Sequence, residues 1–197
     1  MEKLEKYAKE NNVPIMQKDG ILYLCDYIRS NNIKNILEVG SAIGYSSIMM
    51  ASVRDDVMVT TIEKDEERYN IAVNNIKEYG YDSQIDIYLG DASDFEFDKK
   101  YDLIFIDAAK GKNTFFFEKF KHNLNKGGTI ITDNLSFHGL VENEELVKTK
   151  NQRGIVNKIK SYIDFLDNNS EFNTKYVEVG DKIAISKRKC EEWVSLL

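Results

Sequence analysis

Asp107-Ala108-Ala109-Lys110 and Asp133-Asn134 bring together side-chain types that can do chemistry. Asp107 closes the apolar run Leu103-Ile104-Phe105-Ile106, and Asp133-Asn134 closes Thr129-Ile130-Ile131-Thr132. Two carboxylates and a carboxamide are hard oxygen donors. They suit Mg2+ or Mn2+ and leave coordination positions for water or a substrate oxygen. No cluster of Cys and His competes, and Cys25 and Cys190 lack metal spacing, which argues against zinc. A dication held there would stabilise a substrate oxyanion. Lys110 stands three residues past Asp107, close enough to share the pocket. It could take a hydroxyl proton if its pKa were depressed beside the metal, or simply stabilise the oxyanion. Singly, each group has a plainer reading: Asp107 as a helix cap, Asp133-Asn134 as a turn pair, Lys110 as a solvated cation. Their clustering at strand ends favours function.

A second constellation is Glu38-Val39-Gly40-Ser41-Ala42-Ile43-Gly44-Tyr45-Ser46. It reads as a buried strand breaking into a glycine turn at a helix start. Gly40 and Gly44 would let the backbone turn sharply and approach a ligand where a Cβ would clash. The spacing is Glu-x-Gly-x-x-x-Gly, not the three-glycine pattern that seats a dinucleotide pyrophosphate. Glu38 would repel a pyrophosphate but suits a cation, here the sulfonium and amino group of S-adenosylmethionine (SAM). Glu63, at the end of the next strand, is placed to accept hydrogen bonds from ribose hydroxyls. In Gly90-Asp91-Ala92, Asp91 could bond the adenine amino group. The plainer alternatives are a surface acid at Glu63 and a short helix capped by Asp91.

The elements that must position these groups follow from periodicity. Helices are expected at Lys18–Ser30, Tyr45–Ser52, about Asp65–Tyr79, about Asn113–Leu124 and roughly Gln152–Leu166. Strands are expected at Asn35–Val39, Val57–Ile62, Ile85–Leu89, Leu103–Ile106 and Thr129–Thr132, the last entered by a turn at Gly127-Gly128. Two final strands, Thr174–Val179 and Lys182–Ser186, flank Gly180-Asp181, which suits an antiparallel hairpin. The expected fold is α/β, a mostly parallel seven-stranded sheet with an antiparallel edge hairpin and helices on both faces. Such sheets bind ligands beyond the carboxyl ends of their strands, where strand order reverses.

One domain accounts for 197 residues, with N-terminal helices over 1–32, a core over 33–187 and a tail over 188–197. A hydrophobic content of 42% with 30% charged residues is ordinary for a soluble protein. The charged N-terminus lacks an apolar signal core and no segment has membrane-spanning length, so a cytoplasmic protein is expected. The net charge of −6 argues against a general nucleic-acid coat. Charge is nevertheless uneven: Lys148, Lys150, Arg153, Lys158 and Lys160 follow one another with no acid between them. That stretch reads as a solvated helix face or as a phosphate-contacting patch.

Together these motifs resemble the catechol O-methyltransferase-like family of SAM- and metal-dependent O-methyltransferases, over nearly the whole chain. The resemblance makes Asp107, Asp133 and Asn134 metal ligands and Lys110 the catalytic base. It makes Met16, Glu38, Gly40, Ser41, Tyr45, Ser46, Glu63, Asp91, Ala92 and Asp107 cofactor contacts, and it implies a homodimer. The short length, Pro14-Ile15-Met16, Phe137-His138-Gly139 and Asn151-Gln152-Arg153 further resemble the bacterial tRNA 5-hydroxyuridine methyltransferases. Those enzymes act at the wobble position of the tRNA anticodon loop. The 5-hydroxyl and 4-carbonyl of that base can chelate one metal as a catechol does. His138, Lys148, Lys150 and Arg153 are then RNA-contact candidates. Catechol-type enzymes carry an aromatic residue where this chain has Ala109, which weakens the case for a catechol. The alternative remains a small-molecule O-methyltransferase acting on catechols or hydroxycinnamoyl esters.

Overall fold

The computed structural model describes residues 1–189. Of the tail expected over 188–197, residues 190–197 lie outside them, and Arg188 still belongs to the last strand. Seven strands form one sheet: β1 (Asn35–Val39), β2 (Met58–Glu63), β3 (Ile85–Leu89), β4 (Tyr101–Ile106), β5 (Leu124–Thr132), β6 (Phe172–Val177) and β7 (Ile183–Arg188). Their order is β3-β2-β1-β4-β5-β7-β6. The first five run parallel, while β7 is antiparallel to both β5 and β6. The helices are α1 (Glu2–Glu10), α2 (Lys18–Ser30), α3 (Tyr45–Ala51), α4 (Glu66–Glu78), α5 (Asn113–Phe120) and α6 (Lys150–Asp167).

Strand alternation divides the apolar side chains between two cores. Ile36, Leu103, Phe105, Ile131 and Ile183 pack with Leu24 and Ile28 of α2 and Ile48 of α3. Leu37, Val39, Ile104, Ile106 and Ile130 pack with Phe116, Phe117 and Phe120 of α5 and Val156, Ile159 and Tyr162 of α6. A sheet covered on both faces explains why its central strands are continuously apolar. β1 lies between β2 and β4, so strand order reverses there, and the loops after these strands open into one crevice.

Several boundaries differ from expectation for local reasons. α5 stops at Phe120, and residues Lys121–Asn123 form a 3-10 turn. There the Asn123 amide donates to the Phe97 and Lys99 carbonyls, and Leu124 already pairs with Tyr101. Gly127-Gly128 therefore lies inside β5 instead of preceding it, at a register irregularity opposite Tyr101–Leu103, with Gly127 at φ +80. α6 starts at Lys150 because Thr149 and Gln152 form a reciprocal capping box. β6 starts at Phe172, where the Asn169 side chain accepts from the backbone of Glu171 and Phe172.

Candidate active site

Gly40 leaves β1 with φ +100, and a Cβ added to it would lie 2.2 Å from the Asp107 carbonyl oxygen. The ends of β1 and β4 pass that closely, so glycine is required. Gly44 also has positive φ, at +82, and begins α3. Between them Ala42 holds φ +46 and donates its N–H to Glu63 Oε2 at 2.8 Å. The Asp65 N–H donates to Glu63 Oε1 at 2.9 Å. Glu63 is buried and oriented by two backbone donors, yet it lines the crevice and keeps spare lone pairs for a further donor.

The crevice has a volume of about 460 Å³. Gly40, Glu63, Asp91, Ala92, Asp107, Lys110, Asn134 and His138 all line it. A smaller adjoining recess is lined by Met16, Ser41, Tyr45 and Ser46 with Gly40 and Asp107. Ser41 Oγ is buried there without a partner among the described residues. Asp91 caps the 3-10 turn Ala92–Asp94 through the Ser93 N–H, and its other oxygen accepts from Lys112 at 2.8 Å. These bonds, Lys112 first, hold the Asp91 carboxyl well below the usual range. The capping role read from sequence is thus present alongside its place on the crevice wall. Tyr45 lines the recess and not the main crevice, and its hydroxyl donates to Glu5 of α1 at 2.9 Å.

Glu38 corrects one expectation. Its side chain does not line the crevice, because strand alternation sends it toward α3 beneath the glycine turn. There it is fully buried and accepts hydrogen bonds from the hydroxyls of Ser46, Ser47 and Thr61. Burial, opposed by those three bonds, pushes its carboxyl up to about 7. A direct contact with a sulfonium is replaced by a tie between β1, β2 and α3.

On the other side of the crevice, the Asn134 amide nitrogen stands 3.0 Å from Asp107 Oδ1 and 2.9 Å from Asp133 Oδ2. Lys110 Nζ is 3.5 Å from Asp107 Oδ1. Asp133 is buried, and its Oδ1 has no hydrogen-bond partner among the described residues. Burial, with the Asp107 carboxylate beside it, raises the Asp133 carboxyl. An unpaired buried carboxylate next to a second one calls for a cation. Turning the Asn134 amide about its last bond would put its oxygen, in place of its nitrogen, beside one oxygen of each carboxylate. The residues fit a divalent ion, with two carboxylate oxygens and one amide oxygen as ligands. No cluster of three His, Cys, Asp or Glu residues suited to a metal occurs among the described residues, so Asn134 is needed to complete the set.

The RNA-contact candidates are not gathered with this centre. His138 lines the crevice, but Lys148, Lys150 and Arg153 are exposed around the start of α6 and do not. Lys160 pairs with Glu144, which removes part of the positive stretch. Ile155 of α6 does reach the crevice, and Lys158 packs against Gly111 beside Lys110. The structure also adds wall residues that the sequence reading passed over: Lys112, Phe116, Ile155 and Arg68. Lys112 stands two residues from Lys110, a signal that was available; Ile155 and Phe116 reach the site only through the packing of their helices.

A doubly wound sheet of this order, with a glycine turn after β1 and acids closing β2, β4 and β5, defines a Rossmann-like methyltransferase fold. The chain belongs to the O-methyltransferase family, whose defining pattern matches residues 1–189. Similar proteins include the caffeoyl-CoA O-methyltransferase of Stellaria longipes, 30% identical over 167 residues covering 79% of this chain and 68% of that one. The catechol O-methyltransferase of Niastella koreensis is 36% identical over 118 residues, covering 56% and 53%. A Staphylococcus aureus crystal structure, provisionally assigned as a caffeoyl-CoA O-methyltransferase, superposes with a TM-score of 0.91 at 39% identity, covering 95% and 91%. The Bacillus cereus O-methyltransferase in complex with SAH shares the fold, with a TM-score of 0.80 at 24% identity over 95% and 90% of the two chains.

Proposed function

We propose that this chain transfers the methyl group of SAM to a hydroxyl oxygen of an acceptor bearing two adjacent oxygens, with a divalent cation held by Asp107, Asp133 and Asn134. The observation that carries this reading is the single crevice shared by Glu63, Asp91 and Ala92 on one side and Asp107, Asn134 and Lys110 on the other. A cation held by Asp107, Asp133 and Asn134 would supply positive charge that lowers the pKa of the acceptor hydroxyl. Glu63 holds the donor's ribose hydroxyls, and the turn from Gly40 to Gly44 gives its amino-acid end close backbone approach. Lys110 removes the hydroxyl proton. The oxygen then displaces the methyl carbon from sulfur in line, leaving a neutral thioether. Ile15, Phe137 and Ile155 cover the acceptor side and limit water.

A small aromatic diol or a hydroxycinnamoyl ester fits this chemistry, and the names of the Stellaria and Niastella relatives favour it. The second reading is the wobble 5-hydroxyuridine of a tRNA, giving 5-methoxyuridine. Ala109 favours it, since this exposed alanine at the mouth supplies no aromatic wall for a small ring. Lys64 and Arg68 in the wall, with Lys148, Lys150 and Arg153 nearby in sequence to Ile155, would serve flanking phosphates. A base splayed from a single-stranded loop needs no duplex opening. A homodimer, as the family resemblance implies, completes the proposal.

The test is methyl transfer from SAM by the purified protein to catechol, to caffeoyl-CoA and to tRNA carrying 5-hydroxyuridine, with and without EDTA. Transfer abolished by EDTA and restored by Mg2+ or Mn2+ is the expected outcome. Undiminished turnover after chelation would exclude the metal role, and the preferred acceptor separates the two readings.

A further inference from the structure

We propose that Asp181, in the turn between β6 and β7, is a positioning residue that holds the acceptor-side loop at 134–139 in its working shape. The inference rests on the methyl-transfer reading above and extends it to a residue outside the crevice wall.

The loop is conformationally expensive. Asn134, Phe137, His138 and Gly139 hold φ of +66, +50, +56 and +83. Side-chain-bearing residues avoid that region, and two adjacent ones, a phenylalanine and a histidine, keep it only where surrounding contacts hold them there; bonds within the loop, such as Val141 N–H to the Ser136 carbonyl, supply part of that hold. Asp181 supplies the hold from outside the loop. Its Oδ1 accepts the His138 N–H at 2.6 Å, and its carbonyl accepts the Ser136 N–H at 3.0 Å. The next carbonyl, of Lys182, accepts the Leu135 N–H at 3.0 Å. Three backbone donors of the loop therefore end on two consecutive hairpin residues.

Asp181 is only 4% exposed, and its Oδ2 has no hydrogen-bond partner among the described residues. A carboxylate buried at that cost serves poorly as mere filler. Its hairpin turn is itself anchored. The Gly180 N–H donates to Asp19 at 3.1 Å, and a Cβ on Gly180 would lie 3.2 Å from the Gly20 backbone. The chain entering α2 carries Pro14 and Ile15, which line the same crevice. Asp181 thus ties the loop bearing Asn134, Phe137 and His138 to a hairpin turn that packs on the start of α2. It touches neither proposed substrate; it acts through His138 and Ser136.

The experiment compares wild type, D181A and D181N by acceptor kinetics, by calorimetric binding of SAM, and by NMR-detected amide exchange. Asn keeps an oxygen for the His138 N–H and should restore function to within threefold. D181A should lose at least tenfold in kcat/KM for the acceptor while its SAM Kd stays within twofold, and its Ser136 and His138 amides should exchange faster. Unchanged acceptor kinetics, or SAM affinity falling in step with them, would overturn the proposal. If wild type methylates none of the acceptors, the methyl-transfer reading fails separately, and the exchange data still decide on Asp181. If D181A does not fold, the wild-type His138 amide decides: slow exchange supports the hold, and exchange as fast as in free loops refutes it.

Discussion

Lys110 and Asp107 stand 3.5 Å apart, each about a fifth exposed, where the proposed base and cation would serve the same oxygen. If Lys110 removes the acceptor proton, Lys110→Ala should lower kcat by about 10²–10⁴ with SAM affinity unchanged. A loss below tenfold would make it a bystander. Glu38 carries a different signature, because burial pushes its carboxyl from 4.5 up to about 7. A raised carboxyl disfavours the ionised form in the folded state. Its contribution to stability is therefore fully present below the ordinary carboxylate pKa and is lost as pH rises through about 7. The loss amounts to about 3 kcal/mol at 1.36 kcal/mol per unit. Urea unfolding of Glu38→Gln at several pH values should show that slope flattened. The same slope in both proteins would remove Glu38 as its source. The carboxylate in an apolar strand was visible in the sequence as an anomaly. Only the parity of β1 revealed that it points to three hydroxyls instead of the ligand.

At the scale of elements, the close approach of the ends of β1 and β4 explains the glycine turn better than ligand approach alone. Gly40→Ala puts a methyl 2.2 Å from the Asp107 carbonyl at φ +100. Neither strand end can yield cheaply, since both are hydrogen-bonded into the sheet. The substitution should cost more than about 2 kcal/mol of stability and weaken SAM binding. Denaturant unfolding and calorimetry read the two effects, and an unchanged midpoint would contradict the close approach. Helix spacing located α2 at Lys18–Ser30 without error, because its apolar face is unbroken and its ends are polar. The end of α5 was misplaced because Leu124 is equally suited to helix and strand. Pairing with β4 made the choice.

For the whole molecule, charge placement bears on what the crevice accepts. The chain is acidic overall, yet Lys148, Lys150 and Arg153 lie exposed at the start of α6. If the acceptor is tRNA, the triple variant K148E/K150E/R153E should lose at least tenfold in tRNA methylation and flatten its salt dependence. Turnover of a catechol should stay within twofold. Equal loss on both acceptors would point to a damaged fold, and no loss on tRNA would place phosphate contacts elsewhere. No helix among the described residues is long and apolar enough to cross a membrane.

The sequence by itself determined the architecture and the chemical types at the strand ends. Continuous apolar strands, amphipathic helices and the glycine turn are local patterns, and the topology of parallel sheets leaves them few ways to assemble. The positions of Glu63, Asp107 and Asp133-Asn134 at strand ends, and of Asp91 two residues past one, were legible for the same reason: the direction of each strand is set by that topology. The tertiary structure decided what local pattern cannot carry. It turned Glu38 inward, paired Asp91 with Lys112, brought Phe116 and Ile155 to the wall, and set Asp181 beneath a loop 43 residues away in the chain. Those outcomes depend on which faces meet when helices and a hairpin pack on a twisted sheet, a relation between distant segments that no single stretch of residues encodes.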